Sequence, residues 1–416
     1  MKGPGRMRLP STIAIAWRNL WRNGRRTGLA LGAIGLSVAL VLIYDSVLRA
    51  YGDWMVETVT GPMLGHAQAH APGWRKDRAM DRTLRDVEAA LAALRRHPEV
   101  TGATARVYAP TLAALGEEGF GVVVVGLDPA AESRPMGLLA GAPEPPGGKR
   151  VLMGRPLAEM MGARVGDRLA IVGQGADGSL ANDLYQVAGL VNTSVDLVNR
   201  QAVLMDLGEA QTLFAMPGEA HEIVLYGRDP RRADRLAAHV AALPELAGAE
   251  VLDWRTLSPE MVSLIGIVDV VWVFVLLLVF LAAAAGVANT MLMATWERTR
   301  ELGMLLALGA APGRIVRLVL VESVALGLVG ALLGSALGLG LVALTHRTGV
   351  DYAALTGTGP SELSFGGLRW SLRLYPTLSA VDVMRTVAAV VATSLLASAW
   401  PAARAARLQP TQALRE

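Results

Sequence analysis

The chain has 416 residues, of which 52% are hydrophobic and 18% charged, and its mean hydropathy is +0.39. This composition is too apolar for a soluble globular chain of that length and too charged for a chain that lies entirely inside a membrane. The small net charge of +3 does not indicate a nucleic-acid-binding surface, and the absence of cysteine excludes disulfides, iron–sulfur clusters and thiol catalysis.

The first segment, residues 1–26, is predicted to form a cytoplasmic amphipathic helix. Apolar and arginine side chains recur at helical spacing on opposite faces, and tryptophan and arginine suit the headgroup region of an anionic membrane. An ordinary positively charged flank with two interfacial tryptophans is the alternative. The residues concerned are Ile13, Trp17, Leu20 and Trp21 on one face and Arg18, Arg22 and Arg25 on the other.

Four apolar runs follow, at residues 27–48, 262–294, 315–345 and 381–401. Each is long enough to cross a hydrocarbon core of about 30 Å, where only a helix satisfies its own backbone. The sequence therefore predicts a membrane protein with four transmembrane α-helices and a large extracytoplasmic domain, residues 49–261, between helices 1 and 2. The second run exceeds the bilayer core and predicts a stalk beneath that domain.

The arginines set the predicted orientation. The segment before the first run, the 295–314 segment and the 402–416 tail are rich in Arg, which keeps short flanks in the cytoplasm. Both termini are thus predicted to be cytoplasmic, and the 346–380 loop external. The first run lacks a small-x-small cleavage site and is read as an uncleaved anchor.

Residues 49–261 show a mixed α/β pattern in two lobes, with the strand-rich residues 120–205 forming one of them. Turn signals separate the elements. Predicted helices cover Asp81–Arg95, Pro156–Met161, Leu207–Phe214 and Pro230–Leu243, and predicted strands cover Thr101–Tyr108, Gly121–Gly126, Arg168–Val172, Tyr185–Val191, Ala202–Met205, Glu222–Tyr226 and Glu250–Trp254.

The 295–314 segment is a short helix between two spans. Glu297, Arg300 and Glu301 are spaced for i+3 and i+4 pairs. One face is predicted to be apolar, and a Gly/Pro pattern ends the helix. Such a helix favours a cytoplasmic partner, with a simple helical hairpin as the alternative. The predicted apolar face consists of Leu302, Leu305, Leu306 and Gly309.

These residues resemble the membrane subunits of type VII ABC transporters, the MacB/FtsX/LolC-like group. The resemblance rests on "WERTRELGMLLALGA", "WPAARAARLQPTQALRE", "IAWRNLWRNGRRTGLAL" and the order of one span, domain and three spans. It implies a coupling helix that docks on a separate ATPase through Glu297, Arg300, Glu301 and Leu305. It also implies two copies of the ATPase, a second permease copy or paralogue, and mechanotransmission.

The inserted domain resembles the lipoprotein-releasing LolC/LolE branch, through "GHAQAHAPGW", "GARVGDRLAI" and its length of about 210 residues. That implies a bacterial inner-membrane permease that extracts lipoproteins or other amphiphilic cargo and hands them to a periplasmic carrier. An FtsX-like transducer controlling an extracytoplasmic enzyme, or a MacB-like efflux permease, is the alternative.

No catalytic motif is found. The chain has no G-x-x-x-x-G-K-[ST] loop, so ATP and Mg are expected on the partner ATPase and no cofactor on this chain. His66 and His70 would lie about 13 Å apart along a strand and could not share a metal ion. The sequence predicts a permease subunit that is not itself an enzyme.

Several residues in or near the spans carry specific predictions. Glu322 is predicted to pair with an arginine near the cytoplasmic surface. Asp45 and Asp269 are expected at external helix ends. Gly330, Gly334 and Gly338 form a ridge for close helix packing, within the chain or between two copies. Candidate acyl-chain contacts, equally consistent with lipid-facing positions, are Ile43, Tyr44, Val47, Ile265, Val268 and Trp272.

Overall fold

The computed structural model describes residues 9–134, 137–142, 144–193, 195–351, 364–365, 368–369 and 373–407. The chain divides into two compact units. The helical unit comprises residues 1–52, 265–351 and 373–416, and the inserted domain comprises residues 53–264 and 352–372. Parts of the predicted 1–26 helix, 346–380 loop and 402–416 tail lie outside the described residues.

The helices are numbered in chain order over the described part of the chain. Two further turns matter below, the 3-10 turn Trp21–Asn23 and the π-helical turn Thr60–Leu64. The helices are α1 (Leu9–Leu20), α2 (Gly24–Val59), α3 (Trp74–Asp77), α4 (Val87–Arg96), α5 (Pro129–Glu132), α6 (Arg155–Met161), α7 (Asp196–Gln201), α8 (Leu207–Leu213), α9 (Ala233–Ala241), α10 (Trp254–Leu257), α11 (Pro259–Glu297), α12 (Thr299–Ala307), α13 (Pro312–Thr348) and α14 (Ala380–Ala406).

The strands belong to one large sheet and two small two-stranded sheets. They are β1 (Ala67–His70), β2 (Val100–Leu115), β3 (Glu118–Leu127), β4 (Arg150–Gly154), β5 (Arg168–Gln174), β6 (Leu180–Val191), β7 (Ala202–Asp206), β8 (Glu222–Gly227), β9 (Glu250–Asp253), β10 (Val350–Asp351), β11 (Ser364–Phe365), β12 (Leu368–Arg369) and β13 (Arg373–Leu374).

In the part of the chain that the structure describes, four helices are long and apolar enough to cross a membrane, and they contain the four predicted runs. The predicted fold class, with an α/β domain between the first of these helices and the rest, is confirmed. All four helices extend past the predicted runs. The largest extension is in α2, which continues to Val59 instead of ending at residue 48. Polar residues continue the helix there because helical hydrogen bonding does not require an apolar sequence.

Within the helical unit, α2, α13 and α14 pack closely. The Ser323 hydroxyl of α13 donates to the Ser394 carbonyl of α14 at 2.7 Å. Small residues on α13 allow α2 to approach on another side. Helix α11 differs, because its only buried residues lie near its C-terminal end: Val287, Met291, Ala294 and Thr295.

The large sheet of the inserted domain closes on itself. Starting from β2, hydrogen-bonded neighbours follow the order β2-β3-β7-β4-β6-β5 and return to β2. The first half of β2 also pairs with β8, which continues through β1 to β9. Because β2 spans 16 residues, its two halves can join different partners. The ring and the side sheet correspond to the two predicted lobes, but they share a strand and one hydrophobic cluster.

The structure differs from the prediction at several local elements, and three of them show why. The helix predicted from Asp81 begins only at Val87, since Asp86 has a left-handed φ of 50°. Strand β2 was predicted to end at Tyr108 but continues to Leu115, and Pro110 within it still pairs with Val123. Strand β4 was missed, because five residues between loops give too short a pattern to recognise.

Candidate functional site

The predicted coupling segment is helix α12 with its flanks. Leu302 is buried against Ile315 and Ala405, and Leu306 is partly buried against the same cluster. Leu305, by contrast, is 41% exposed. The predicted set of residues on the apolar face was therefore wrong. Leu302 and Leu306 pack against α13 and α14, whereas Leu305 and Gly309 are exposed. Leu302 and Leu306 are about one turn apart and share the contact with Ile315 and Ala405, whereas Leu305 lies about 100° around the helix from Leu306 and falls outside this narrow contact.

Glu297 and Glu301 form ion pairs with the N-terminal segment. Arg26 donates to Glu297 at 2.6 Å, and Arg22 donates to Glu301 at 2.7 Å. The predicted pairing with Arg300 is replaced by these contacts, and Arg300 is exposed. More than 270 positions separate the partners, so helical spacing alone could not reveal them.

An exposed surface remains around α12. It carries both apolar and basic side chains, and Gly309 adopts a φ of 87° where the chain turns into α13. Exposed apolar groups beside arginines form a surface suited to a protein partner. We call it the coupling surface; it consists of Trp296, Arg300, Met304, Leu305, Leu308 and Arg314.

Glu322 lies buried in α13 and is paired with Arg298. The Arg298 guanidinium donates to the Glu322 carboxylate at 2.7 Å, and the two side chains are only 10% and 8% exposed. The expected arginine partner therefore comes from the residue that joins α11 to α12. A buried ion pair with this geometry fixes the start of α12 against α13.

The other end of the helical unit carries a second ionic contact. Arg49 of α2 contacts Asp45 at 3.2 Å and Asp382 of α14 at 2.5 Å. Asp382 also completes a capping box with Ser379 at the start of α14. Asp45 is buried within the protein, and it interacts with the side chain of Trp272.

The six candidate cargo contacts are all half-buried. Three lie on α2 and three on α11. Through Asp45 and Trp272 the structure brings these two helices together within one chain. The exposed apolar residues of α11 lie instead at other positions, including Ile267, Val270, Val271, Phe274 and Leu278. The candidates are Ile43, Tyr44, Val47, Ile265, Val268 and Trp272.

The glycine ridge of α13 faces α2. A Cβ atom added at Gly330 would come within 2.7 Å of Ile34, and one added at Gly334 within 2.7 Å of Val38. At Gly338 the nearest atom would be Leu42 Cβ at 3.2 Å. Of the two packing roles left open by the sequence, the ridge is used within the chain.

A buried charge network in the inserted domain was not anticipated. Arg106 and Glu132 are both fully buried and form an ion pair at 2.7 Å. Arg106 also donates to the carbonyls of Pro62 and Met63, in the π-helical turn that follows α2. The available signal was a single arginine inside the apolar strand "ATARVYA". Arg106 thereby satisfies carbonyls that a helix terminus leaves without intrahelical partners.

One more acidic group, Glu222, and two phenolic groups, Tyr108 and Tyr226, complete the network. Tyr108 donates to Glu222 at 3.1 Å, and Tyr226 donates to the Gly61 carbonyl at 2.9 Å. Burial raises the pKa of Glu222 despite the nearby Arg106 charge. The network therefore holds the 61–63 turn through several independent hydrogen bonds.

The described residues provide no cluster of three or more His, Asp or Glu able to hold a metal ion. His66 and His70 are separate: the His66 ring accepts from the Gly227 amide, and His70 stacks on Trp74. Burial lowers the pKa of each ring to about 4. These histidines are neutral structural groups.

Comparison with known proteins agrees with the architecture. Residues 273–410 match the FtsX-like permease C-terminal family. The chain is 24% identical over 400 residues to the lipoprotein-releasing system transmembrane protein LolC of Neisseria meningitidis, covering 94% of each chain. It is 28% identical to LolE of Haemophilus influenzae over 64% of each chain.

Among solved structures, the periplasmic region of MacB from Actinobacillus actinomycetemcomitans aligns with a TM-score of 0.34 and 9% identity. The alignment covers 49% of this chain and 95% of that chain.

Proposed function

Because the chain is an ABC transporter permease of the LolC/LolE type with an FtsX-like permease domain, we propose that it extracts lipid-anchored or amphiphilic cargo from the outer leaflet of a bacterial inner membrane. It does so by mechanotransmission: a separate ATPase hydrolyses ATP with Mg, and the resulting movement reaches the inserted domain. In this proposal both termini lie in the cytoplasm and the inserted domain lies in the periplasm.

One observation carries this proposal, the similarity to a lipoprotein-releasing protein along 94% of both chains. It includes the inserted domain as well as the permease helices. A relationship confined to residues 273–410 would support a permease of any cargo class. Similarity through the inserted domain supports the cargo class, since that domain is the part available to a periplasmic cargo or carrier.

The coupling surface supports the ATPase partner. Leu305 and Leu308 are exposed at 41% and 81%, next to the exposed Arg300. Exposed leucines on a short helix are costly in water and are covered when a partner docks. Glu297 and Glu301 would take part less directly, because Arg26 and Arg22 already occupy them.

Helix α11 offers an exposed apolar face that a second permease copy or paralogue could cover. Its apolar face around Val270 and Phe274 is 60–70% exposed. In a membrane, lipid or another helix covers such a face equally well, so a dimer interface and a lipid-facing entry for acyl chains can share it. The half-buried Trp272 and Val268 would then line the edge of that entry.

The proposal is tested by pull-down of the tagged full-length protein in mild detergent, followed by mass spectrometry. An ATPase together with acylated lipoproteins is the expected result. An ATPase with a cell-wall hydrolase and no lipoprotein would favour the transducer, and an ATPase with an outer-membrane efflux partner would favour the exporter. Failure to recover any ATPase would contradict the permease assignment.

The coupling surface has its own test. Leu305→Asp places a charge where an apolar contact is proposed and should abolish ATPase recovery while the protein remains inserted. The matched control is Leu180→Asp, which changes a leucine that is 72% exposed in the inserted domain. Equal ATPase recovery with both variants would refute the docking role of Leu305.

A further inference from the structure

A cavity of about 390 Å³ opens on the inserted domain, beside Tyr226 of the buried network. Its wall is formed by the start of β2, the end of β8, the C-terminal part of α4 and the region of α5. Arg134, Thr104 and Arg95 line it together with Tyr226 and Asp128. The cavity is large enough for several water molecules or a small ligand.

Arg134 lies flat against an aromatic ring at this cavity. Its guanidinium carbon is 3.3 Å from the centroid of the Tyr226 ring. The Nε and Nη2 atoms of Arg134 are buried and have no hydrogen-bond partner among the described residues. These two nitrogens form one edge of the guanidinium, the edge that binds carboxylate or phosphate with two parallel hydrogen bonds.

A second polar group at the cavity is also without a partner. Thr104 is 1% exposed, and its hydroxyl makes no hydrogen bond within the described part of the chain. A buried hydroxyl and a buried guanidinium edge are both unfavourable when unsatisfied. Two such donors at one cavity point to the same missing acceptor.

The carboxylates near the cavity are already engaged. Asp128 caps α5 by accepting from the Ala130 and Ala131 amides, and Arg95 lies 3.7 Å from its other oxygen. Glu132 is paired with Arg106. Among the described residues, the positive charge of Arg134 is therefore left without a carboxylate of its own. Burial lowers the pKa of His66 to about 4; the Asp229 charge opposes this shift and the Arg134 charge adds to it. The His66 ring is therefore neutral near neutral pH, and the positive charges at the cavity are those of Arg134 and Arg95.

We propose that this cavity binds an oxyanion, a phosphate or carboxylate group, held in two-point contact by Arg134 and by the Thr104 hydroxyl, with Arg95 at the rim. The ligand is either a small free anion or the phosphate of a lipid headgroup. The site is independent of the coupling surface and of the proposed cargo contacts, and its test does not require transport.

The test uses the full-length protein in a neutral detergent and follows thermal unfolding at constant ionic strength. Inorganic phosphate is the first probe, and the expected result is a saturable rise in Tm. Arg134→Gln should abolish the rise, and Thr104→Val should weaken binding. Arg134→Lys keeps the charge but loses the paired N–H edge, so it should raise the apparent Kd about tenfold.

Arg164→Gln is the matched control, because it removes the same charge from an exposed position of the same domain. It should leave the phosphate effect unchanged. If Arg134→Gln fails to fold, the Thr104→Val and Arg134→Lys titrations decide the question. A shift that is non-saturable, or equal in all variants and the control, overturns the proposal.

A second probe separates the two sources of ligand. Dihexanoylphosphatidic acid is titrated below its micelle concentration against the same variants. Saturable shifts with both probes assign the site to the phosphate group itself, and a shift with the lipid alone assigns it to a headgroup. Absence of an Arg134-dependent shift with either probe overturns the site.

Discussion

The packing of α13 on α2 makes a graded prediction. In Gly334→Ala the new Cβ atom would lie 2.7 Å from Val38 Cβ and 2.9 Å from Gly35 Cα. Carbon atoms pack favourably at about 3.5–4.0 Å, so the two helices must separate by roughly 1 Å. This separation also loosens the neighbouring contact at Gly330. The substitution therefore disturbs the tightest helix contact in the helical unit.

The magnitude follows from two opposing effects. Overpacking of this kind costs about 1–3 kcal/mol in the free energy of unfolding. Replacing a helical glycine by alanine returns up to about 1 kcal/mol. Gly340→Ala on the same helix isolates the second effect, because an added Cβ there has no neighbour within 4 Å. Gly334→Ala should thus be less stable than Gly340→Ala by about 1–3 kcal/mol.

The assay is reversible unfolding of the purified protein by SDS in mixed micelles, monitored by tryptophan fluorescence. Gly338→Ala should fall between the other two, since its closest contact would be 3.2 Å. The differences should not depend on protein concentration, because the contacts are within one chain. Equal stabilities for Gly334→Ala and Gly340→Ala would refute the packing role of the ridge.

Three further predictions concern charged groups. Arg298→Met leaves Glu322 buried without its partner and should lower the free energy of unfolding in SDS by about 3–5 kcal/mol. Combining Arg298→Met with Glu322→Leu should recover most of the lost stability. If the two substitutions have additive effects on stability, the coupling between these residues is contradicted. The pKa of His70 falls from 6.5 to about 4 on folding, so the folded state binds fewer protons and stability drops as pH falls through that range, by up to about 3 kcal/mol. His70→Phe should flatten the Tm profile between those pH values, and an unchanged profile would be contrary evidence. Glu301→Gln breaks a half-exposed pair with Arg22 and should change the Tm very little, corresponding to under about 1 kcal/mol.

The helical unit was largely predictable, because a hydrocarbon core dictates both the length and the composition of a span. The second span helix was predicted to start at residue 262, and it starts three positions earlier, at Pro259. The end of α2 was not predictable from hydropathy. Beyond residue 48 the helix enters polar surroundings, where apolar run length no longer marks its boundary.

The coupling segment shows a different limit. The predicted short helix between the second and third apolar runs is present, and the predicted arginine partner of Glu322 is Arg298. It did not separate Leu302 from Leu305, because the direction of burial depends on where α13 and α14 lie. The partners of Glu297 and Glu301 come from the N-terminal segment, and no local pattern encodes contacts between residues so distant in sequence.

In the inserted domain, strand identity was easier to predict than strand order. Alternating β-branched residues revealed most strands, but ring closure depends on β2 pairing with both β3 and β5. The partner of each half of β2 is set by side-chain packing across the ring. The position of the proposed oxyanion cavity could not be predicted for the same reason, because Thr104 and Arg134 line one cavity only after the sheet has formed.

The distribution of contacts in the helical unit is uneven in a way that bears on the proposed mechanism. Helices α2, α13 and α14 are joined by the glycine ridge, by Ser323 and by the Arg49–Asp382 pair. Helix α11 has buried residues only near its C-terminal end, where Arg298 follows it and pairs with Glu322. A force applied to α12 would reach α13 through this ion pair and through the packing of Leu302 against Ile315, and of these two contacts only the ion pair lies directly at the end of α11. The rest of α11 has few contacts to break before it moves, since lipid replaces helix at little cost on an apolar face. Under the proposed mechanism, the Arg298–Glu322 pair is therefore more important for transmitting movement than any contact along the length of α11.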